Sequence, residues 1–223
     1  SKAAQVADAN SYDFLINTMP LKELVKKIIG CPEDVIAATQ DLHHTEGMFV
    51  GIGVADPCPS TKCWMYFPES DSPFYRVTYL SNYSPKMTPP GDHFSLLAEV
   101  SASSFKQENA DDVVDRTIKG LVSSKLLTPE QAKSKIVSRQ LLRVPYSYPV
   151  PTTGRDRALA AIHPWLTEQG IYSRGRFGAW RYEIGNTDHC VMQGVEIAEF
   201  LARGTPERTW ALLPGEESRA RIS

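Results

Sequence analysis

The stretch Arg174-Gly-Arg-Phe-Gly-Ala-Trp-Arg-Tyr-Glu-Ile-Gly-Asn-Thr-Asp-His-Cys-Val-Met-Gln-Gly194 decides how this chain is read. Its first half has the pattern of a strand, Gly185-Asn186 that of a turn, and the remainder that of an amphipathic helix. Asn186 and Thr187 are both good N-cap residues, and Asp188 suits the first turn. Val191, Met192, Val195, Ile197, Phe200 and Leu201 mark an apolar face, and Gly204 a left-handed stop. The N–H groups of such a helix start attract electron-rich groups. Arg174, Arg176 and Arg181 lie just upstream, and arginine suits bidentate recognition of phosphate. On spacing alone, two readings stay open: an anion subsite beside a helix terminus, or an ordinary capped helix preceded by solvated or paired arginines.

The chain has 223 residues, 42% of them hydrophobic, enough to bury a real core. A formal charge of −2 argues against nucleic acid or a membrane surface as partner. No apolar run approaches the ~20 residues that span a bilayer. Cys31, Cys58, Cys63 and Cys190 form no CxxC pair and no Cys/His set with zinc spacing, so no metal is expected. This usage predicts reduced thiols in a cytoplasmic protein. Cys190 near a helix start has no evident base partner and reads as packing.

Phe14-Leu-Ile-Asn17 reads as a short strand, and Pro20 starts a helix running through Leu21, Leu24, Val25, Ile28 and Ile29 to Gly30. A second helix is expected over 32–40. Met48–Val54, Cys63–Phe67, Phe74–Leu80 and Phe94–Val100 are β-branched and aromatic runs separated by Pro- and Ser-containing loops. Helices are expected over 110–122 and 155–168, with a strand over 136–144 between them. Thr128-Pro-Glu-Gln131 resembles a capping box. The fold class expected is α+β: a mixed or antiparallel sheet flanked by helices.

The Arg174–Gly194 block closely resembles the flavin-contacting motif of eukaryotic-type UDP-galactopyranose mutases. Lys62-Cys-Trp-Met-Tyr-Phe-Pro-Glu69, Ser72-Pro-Phe-Tyr-Arg-Val-Thr-Tyr-Leu-Ser-Asn-Tyr-Ser-Pro85, Leu97-Ala-Glu-Val-Ser101 and Tyr148-Pro-Val-Pro-Thr152 resemble other blocks of that family. The resemblance covers roughly residues 12–203 and implies the C-terminal half of such an enzyme. It implies residues 1–42 as the remnant of a nucleotide-binding domain, 43–204 as the substrate domain and 205–223 as a trailing arm. In that family reduced FAD displaces UDP from UDP-galactose, and the sugar recloses as the five-membered ring.

By position, the resemblance assigns Arg76 and Arg176 to the diphosphate, approaching one cavity from different elements. It assigns Tyr83, Tyr148 and Tyr182 to the phosphates and Tyr66 to the substrate near the uridine. Gly185, Asn186 and Thr187 match the flavin-contacting helix start. His189 reads as support for the turn, with acid–base work the alternative. Tyr66 and Tyr148 also suit ordinary amphipathic packing. Arg76, a charge amid an apolar strand, needs a partner.

The chain departs from the family pattern in places. Thr187 stands for the usual Gln, Cys190-Val191 for Ser-Phe, and the loop 86–92 is short. No G-x-G-x-x-G pyrophosphate clamp is present; Gly51-Ile-Gly53 lacks the third glycine. FAD is therefore not expected to bind this chain tightly by itself. Three functions are open: the substrate-binding half of a mutase-like enzyme that needs an FAD-binding half; a flavin-free descendant, active alone or as a homodimer, that isomerises, cyclises or eliminates another oxygen-rich compound; or a non-catalytic binding module.

Overall fold

The computed structural model describes residues 12–211. In chain order the strands are β1 (Leu15–Asn17), β2 (His44–Val54), β3 (Trp64–Tyr66), β4 (Arg76–Tyr79), β5 (Phe94–Ala102), β6 (Ile136–Pro149) and β7 (Ile171–Ser173). The helices are α1 (Leu21–Val25), α2 (Glu33–Ala38), α3 (Val113–Ser123), α4 (Arg155–Glu168), α5 (Gly175–Ala179), α6 (Thr187–Arg203) and α7 (Arg208–Ala211). The class is α+β, as the residue pattern predicts. Residues 44–147 form one compact unit, and residues 12–43 with 148–211 form the other.

The first unit is built on a five-stranded sheet of order β3-β4-β5-β2-β6. The β2–β5, β4–β5 and β3–β4 pairs are antiparallel. Strand alternation sorts the side chains. Phe94, Leu96, Ala98 and Val100 of β5 join Met48, Val50, Ile52 and Val54 of β2 in the core, closed by Val113, Ile118 and Leu121 of α3. The alternate face carries Arg76, Glu99, Trp64 and Tyr66. Thr128 and Gln131 exchange reciprocal side-chain-to-backbone bonds of 2.9 and 3.1 Å, the expected capping box. It starts a helical turn that widens into a π-turn over Gln131–Lys135.

In the other unit β1 and β7 pair in parallel, a sheet of two strands. Leu21, Val25, Leu42, Leu159, Ile162, Leu166, Trp180 and Ile197 are buried there. α4 follows the predicted bounds, and α6 opens at Asn186 and closes on Gly204 at φ +71°.

Two expectations are corrected, the strand over 174–183 and the length of the first helix. The predicted strand over 174–183 is instead the short helix α5, a left-handed Trp180 and a 3₁₀ turn over Tyr182–Ile184. Trp180 sits at φ 54°, costly for a bulky residue, and is fixed by complete burial and by Nε1 donating to the His43 carbonyl at 3.2 Å. The apolar face read on α6 is largely uncovered: Ile197 is buried, but Val191, Met192 and Val195 are 60%, 45% and 50% exposed. The helix read as far as Ile29 ends at Val25, and Ile29 is fully exposed. Of the segment expected as an arm, 205–211 includes helix α7; 212–223 lie outside the described residues.

Candidate functional site

The helix-bearing unit gathers Arg176, Tyr148 and Tyr182 at the start of α6. Arg176 lies in α5, and its Nε donates to the Gly185 carbonyl at 2.8 Å. Its guanidinium sits 4.6 Å from the centre of the Tyr148 ring. Tyr182 lies with its ring centre 5.8 Å from that of Tyr148 and is 52% exposed. A cation on an aromatic face, with two phenols beside it, is a fitting surface for a phosphate oxyanion. Gly185 makes this approach possible: a Cβ there would meet the Arg176 Cγ and the Arg181 carbonyl, each at 3.1 Å.

Asn186 takes the N-cap conformation, but its side chain makes no cap bond. Thr187 opens the helix, and the buried Nδ1 of His189 has no hydrogen-bond partner among the described residues. Gln193 is the residue that sequence reading missed. Fully buried, it accepts from the Gly175 N–H and donates to the Ile184 carbonyl, both at 2.8 Å. It thereby ties both ends of the α5 turn to α6. The signal was available: a glutamine amid the apolar positions of a helix needs buried partners.

The sheet unit carries Arg76, Tyr66 and Tyr83. Arg76 and Glu99 are register partners on β4 and β5. Arg76 Nε and Nη2 reach the Glu99 carboxylate at 2.7 and 2.8 Å, and the Tyr75 hydroxyl donates to it at 2.8 Å. Glu99 is 4% exposed, so the partner that Arg76 needs lies within its own sheet. The same guanidinium lies 5.9 Å from the Tyr66 ring centre, and Nη1 donates weakly to the Tyr66 hydroxyl at 3.4 Å. The Tyr83 ring runs nearly parallel to that of Trp64, centres 6.5 Å apart. Tyr66, Tyr83 and Trp64 are all more than half exposed, which removes the core-packing alternative for Tyr66. Arg76 belongs to one unit and Arg176 to the other.

Among the described residues no three His, Cys, Asp or Glu side chains gather to hold a metal ion. Among them, too, no helix is long and apolar enough to cross a membrane.

No protein-family profile matches the chain. Solved structures do. A reduced UDP-galactopyranose mutase superposes with a TM-score of 0.84 at 40% identity, covering 91% of this chain. An Exiguobacterium protein assigned as a protoporphyrinogen oxidase matches at 0.55 with 15% identity, over 72% of this chain and 35% of its own. A Pyrococcus furiosus protein matches at 0.56 with 13% identity, over 93% of this chain and 45% of its own. These last two share the fold alone. The chain spans 44% of the mutase it matches. In fold and in sequence, this chain is similar to a part of UDP-galactopyranose mutase.

Proposed function

We propose that this chain is the substrate-facing, C-terminal portion of a eukaryotic-type mutase-like flavoenzyme. With an FAD-binding portion it interconverts UDP-galactopyranose and UDP-galactofuranose. The observation that carries this reading is the Arg176–Tyr148–Tyr182 cluster at the start of α6, in a chain 40% identical to a mutase.

In this reading Arg176 holds the diphosphate and offsets the charge that builds on departing UDP, while Tyr148 and Tyr182 donate hydroxyls to phosphate oxygens. In the sheet unit, Arg76, Tyr66 and Tyr83 are proposed as contacts to the nucleotide. Glu99 holds the Arg76 side chain in place.

The residues present fit one edge of a flavin. The first-turn N–H groups of α6, the uncapped Asn186 and the unpartnered Nδ1 of His189 offer donors or acceptors there. Bound and reduced, the flavin supplies the nucleophile that displaces UDP. Two uncovered apolar surfaces support a further polypeptide. One is the Val191, Met192 and Val195 face of α6. The other is the two-stranded parallel sheet, where Leu15 and Ile16 point to opposite faces and each is 45% exposed. Parallel sheets are ordinarily covered on both faces.

Calorimetric titration tests the anion part of this reading. UDP is expected to bind more tightly than uridine, and Arg176→Ala to weaken UDP by roughly ten- to a hundredfold. Equal affinity for UDP and uridine, or no effect of Arg176→Ala, contradicts it. Turnover by the chain without flavin would favour a flavin-free isomerase instead.

A further inference from the structure

Arg155 and Arg174 stand close enough to influence Arg181, and of the three only Arg155 and Arg174 have acceptors among the described residues. Arg155 donates to Asp156 and Glu183 at 2.8–3.0 Å. Arg174 grips Glu207 with two bonds of 2.6 Å and donates to the Ser173 carbonyl. The carboxylates beside the cluster are thus committed. Arg181 has a different environment. Its guanidinium lies 4.7 Å from the centre of the Trp210 ring, and among the described residues it has neither a hydrogen bond nor an ion pair. Stacking occupies the face of a guanidinium and none of its five N–H donors.

The side chain is partly open to solvent. Burial, with Arg155 next, pulls its pKa down to about 10, and the nearby Asp156 and Glu183 carboxylates offset this only in part. Trp210 is fixed where it stands. Arg174 lies 3.8 Å over the same ring, His163 meets the ring edge-on with centres 5.0 Å apart, and Thr209 beside it bonds to Glu196. The donors of Arg181 are therefore held in place by a rigid aromatic neighbour.

We propose that Arg181, backed by Trp210, is a binding site for a small oxyanion, phosphate or carboxylate, separate from the Arg176 cluster. A planar fork of N–H donors matches two oxygens of either group. The anion supplies the acceptors that the described residues do not.

The test combines thermal melts with tryptophan fluorescence of the purified chain in sodium phosphate, sodium acetate and sodium chloride at equal ionic strength. Phosphate, acetate or both should raise Tm above the chloride value, and the same anion should shift the emission. A response to phosphate alone marks a phosphate-bearing ligand, and one to acetate marks a carboxylate. Arg181→Gln should abolish the emission change and reduce the rise in Tm to what the Arg176 cluster supplies. Trp210→Phe should remove the emission change and keep the rise in Tm. Arg176→Gln should leave the emission change in place, which separates this site from the first. Should Arg181→Gln fail to fold, Arg181→Lys serves: it keeps the charge, loses the fork, and should bind about tenfold more weakly. Wild-type protein that behaves alike in all three salts overturns the proposal. So does an emission response to the anion that survives Arg181→Gln, or an unchanged affinity in Arg181→Lys read from the same emission.

Discussion

Arg76 and Glu99 face each other across β4 and β5, joined by two hydrogen bonds of 2.7 and 2.8 Å, with the carboxylate almost wholly buried. A residue assigned to the substrate is thus also the counter-ion of a buried acid. Removing one member of such a pair strands the other. Arg76→Ala should therefore lower stability by about 3–5 kcal/mol, measured by urea unfolding, besides weakening UDP. The double variant Arg76→Met/Glu99→Leu should recover most of that stability without recovering UDP binding. A double variant as unstable as the single would show that the cost lies elsewhere.

Arg174 and Glu207 form a second pair, both nearly buried, that ties the segment around α7 to the end of β7. Glu207→Gln leaves the Arg174 guanidinium without its counter-charge and should cost about 3 kcal/mol in the same unfolding assay. Glu199→Gln, which breaks the exposed Arg203 pair on α6, should stay within about 0.5 kcal/mol. Equal losses in the two variants would refute the distinction.

His163 gives the chain an acid-sensitive point. Burial, with Arg181 next, depresses its pKa to about 3, against 6.5 for an unburied imidazole. Its Nε2 lies 3.2 Å from the Ala179 carbonyl. Between those pKa values the unfolded chain binds the proton and the folded chain does not. Stability from this residue is thus fully present above pH 6.5 and is lost as pH falls toward 3. The loss should be on the order of 4 kcal/mol across that window. His163→Gln should flatten the Tm-versus-pH curve there; an unchanged slope would assign the acid sensitivity to other groups.

Much of the architecture was legible because it is local. The Asn186 and Gly204 boundaries of α6, the span of α4 and the Thr128–Gln131 capping box each stem from residues a few positions apart. The α5 turn was not legible, because what holds it is distant. Gln193 lies on a later helix, and Trp180 is pinned to His43, far back in the chain. Strand periodicity in 174–183 was a coincidence that these contacts override. The exposure of Val191, Met192 and Val195 was not legible for another reason: periodicity shows which residues share a face, and does not show what covers it. In the candidate site, Arg176 and Tyr182 are close in sequence, and the resemblance brought Tyr148 to them. Glu99 was visible only inside a quoted block, because its role depends on strand register.

That uncovered face yields a prediction about assembly. Val191→Lys and Val195→Glu on α6 replace exposed apolar groups and should leave the melting temperature of the isolated chain almost unchanged. Each should prevent association with an FAD-binding polypeptide, read by size-exclusion chromatography. Association that persists in both variants would place the docking surface elsewhere.

The most direct test of the central claim is complementation. The chain is combined with the FAD-binding portion of a UDP-galactopyranose mutase, the flavin is reduced, and interconversion of UDP-galactopyranose and UDP-galactofuranose is followed by chromatography. The account predicts a yellow complex that interconverts the two sugars, with neither piece active alone and activity lost in Arg176→Ala. A chain that turns over a substrate without flavin, or a stable yellow complex whose activity is untouched by Arg176→Ala, would contradict it.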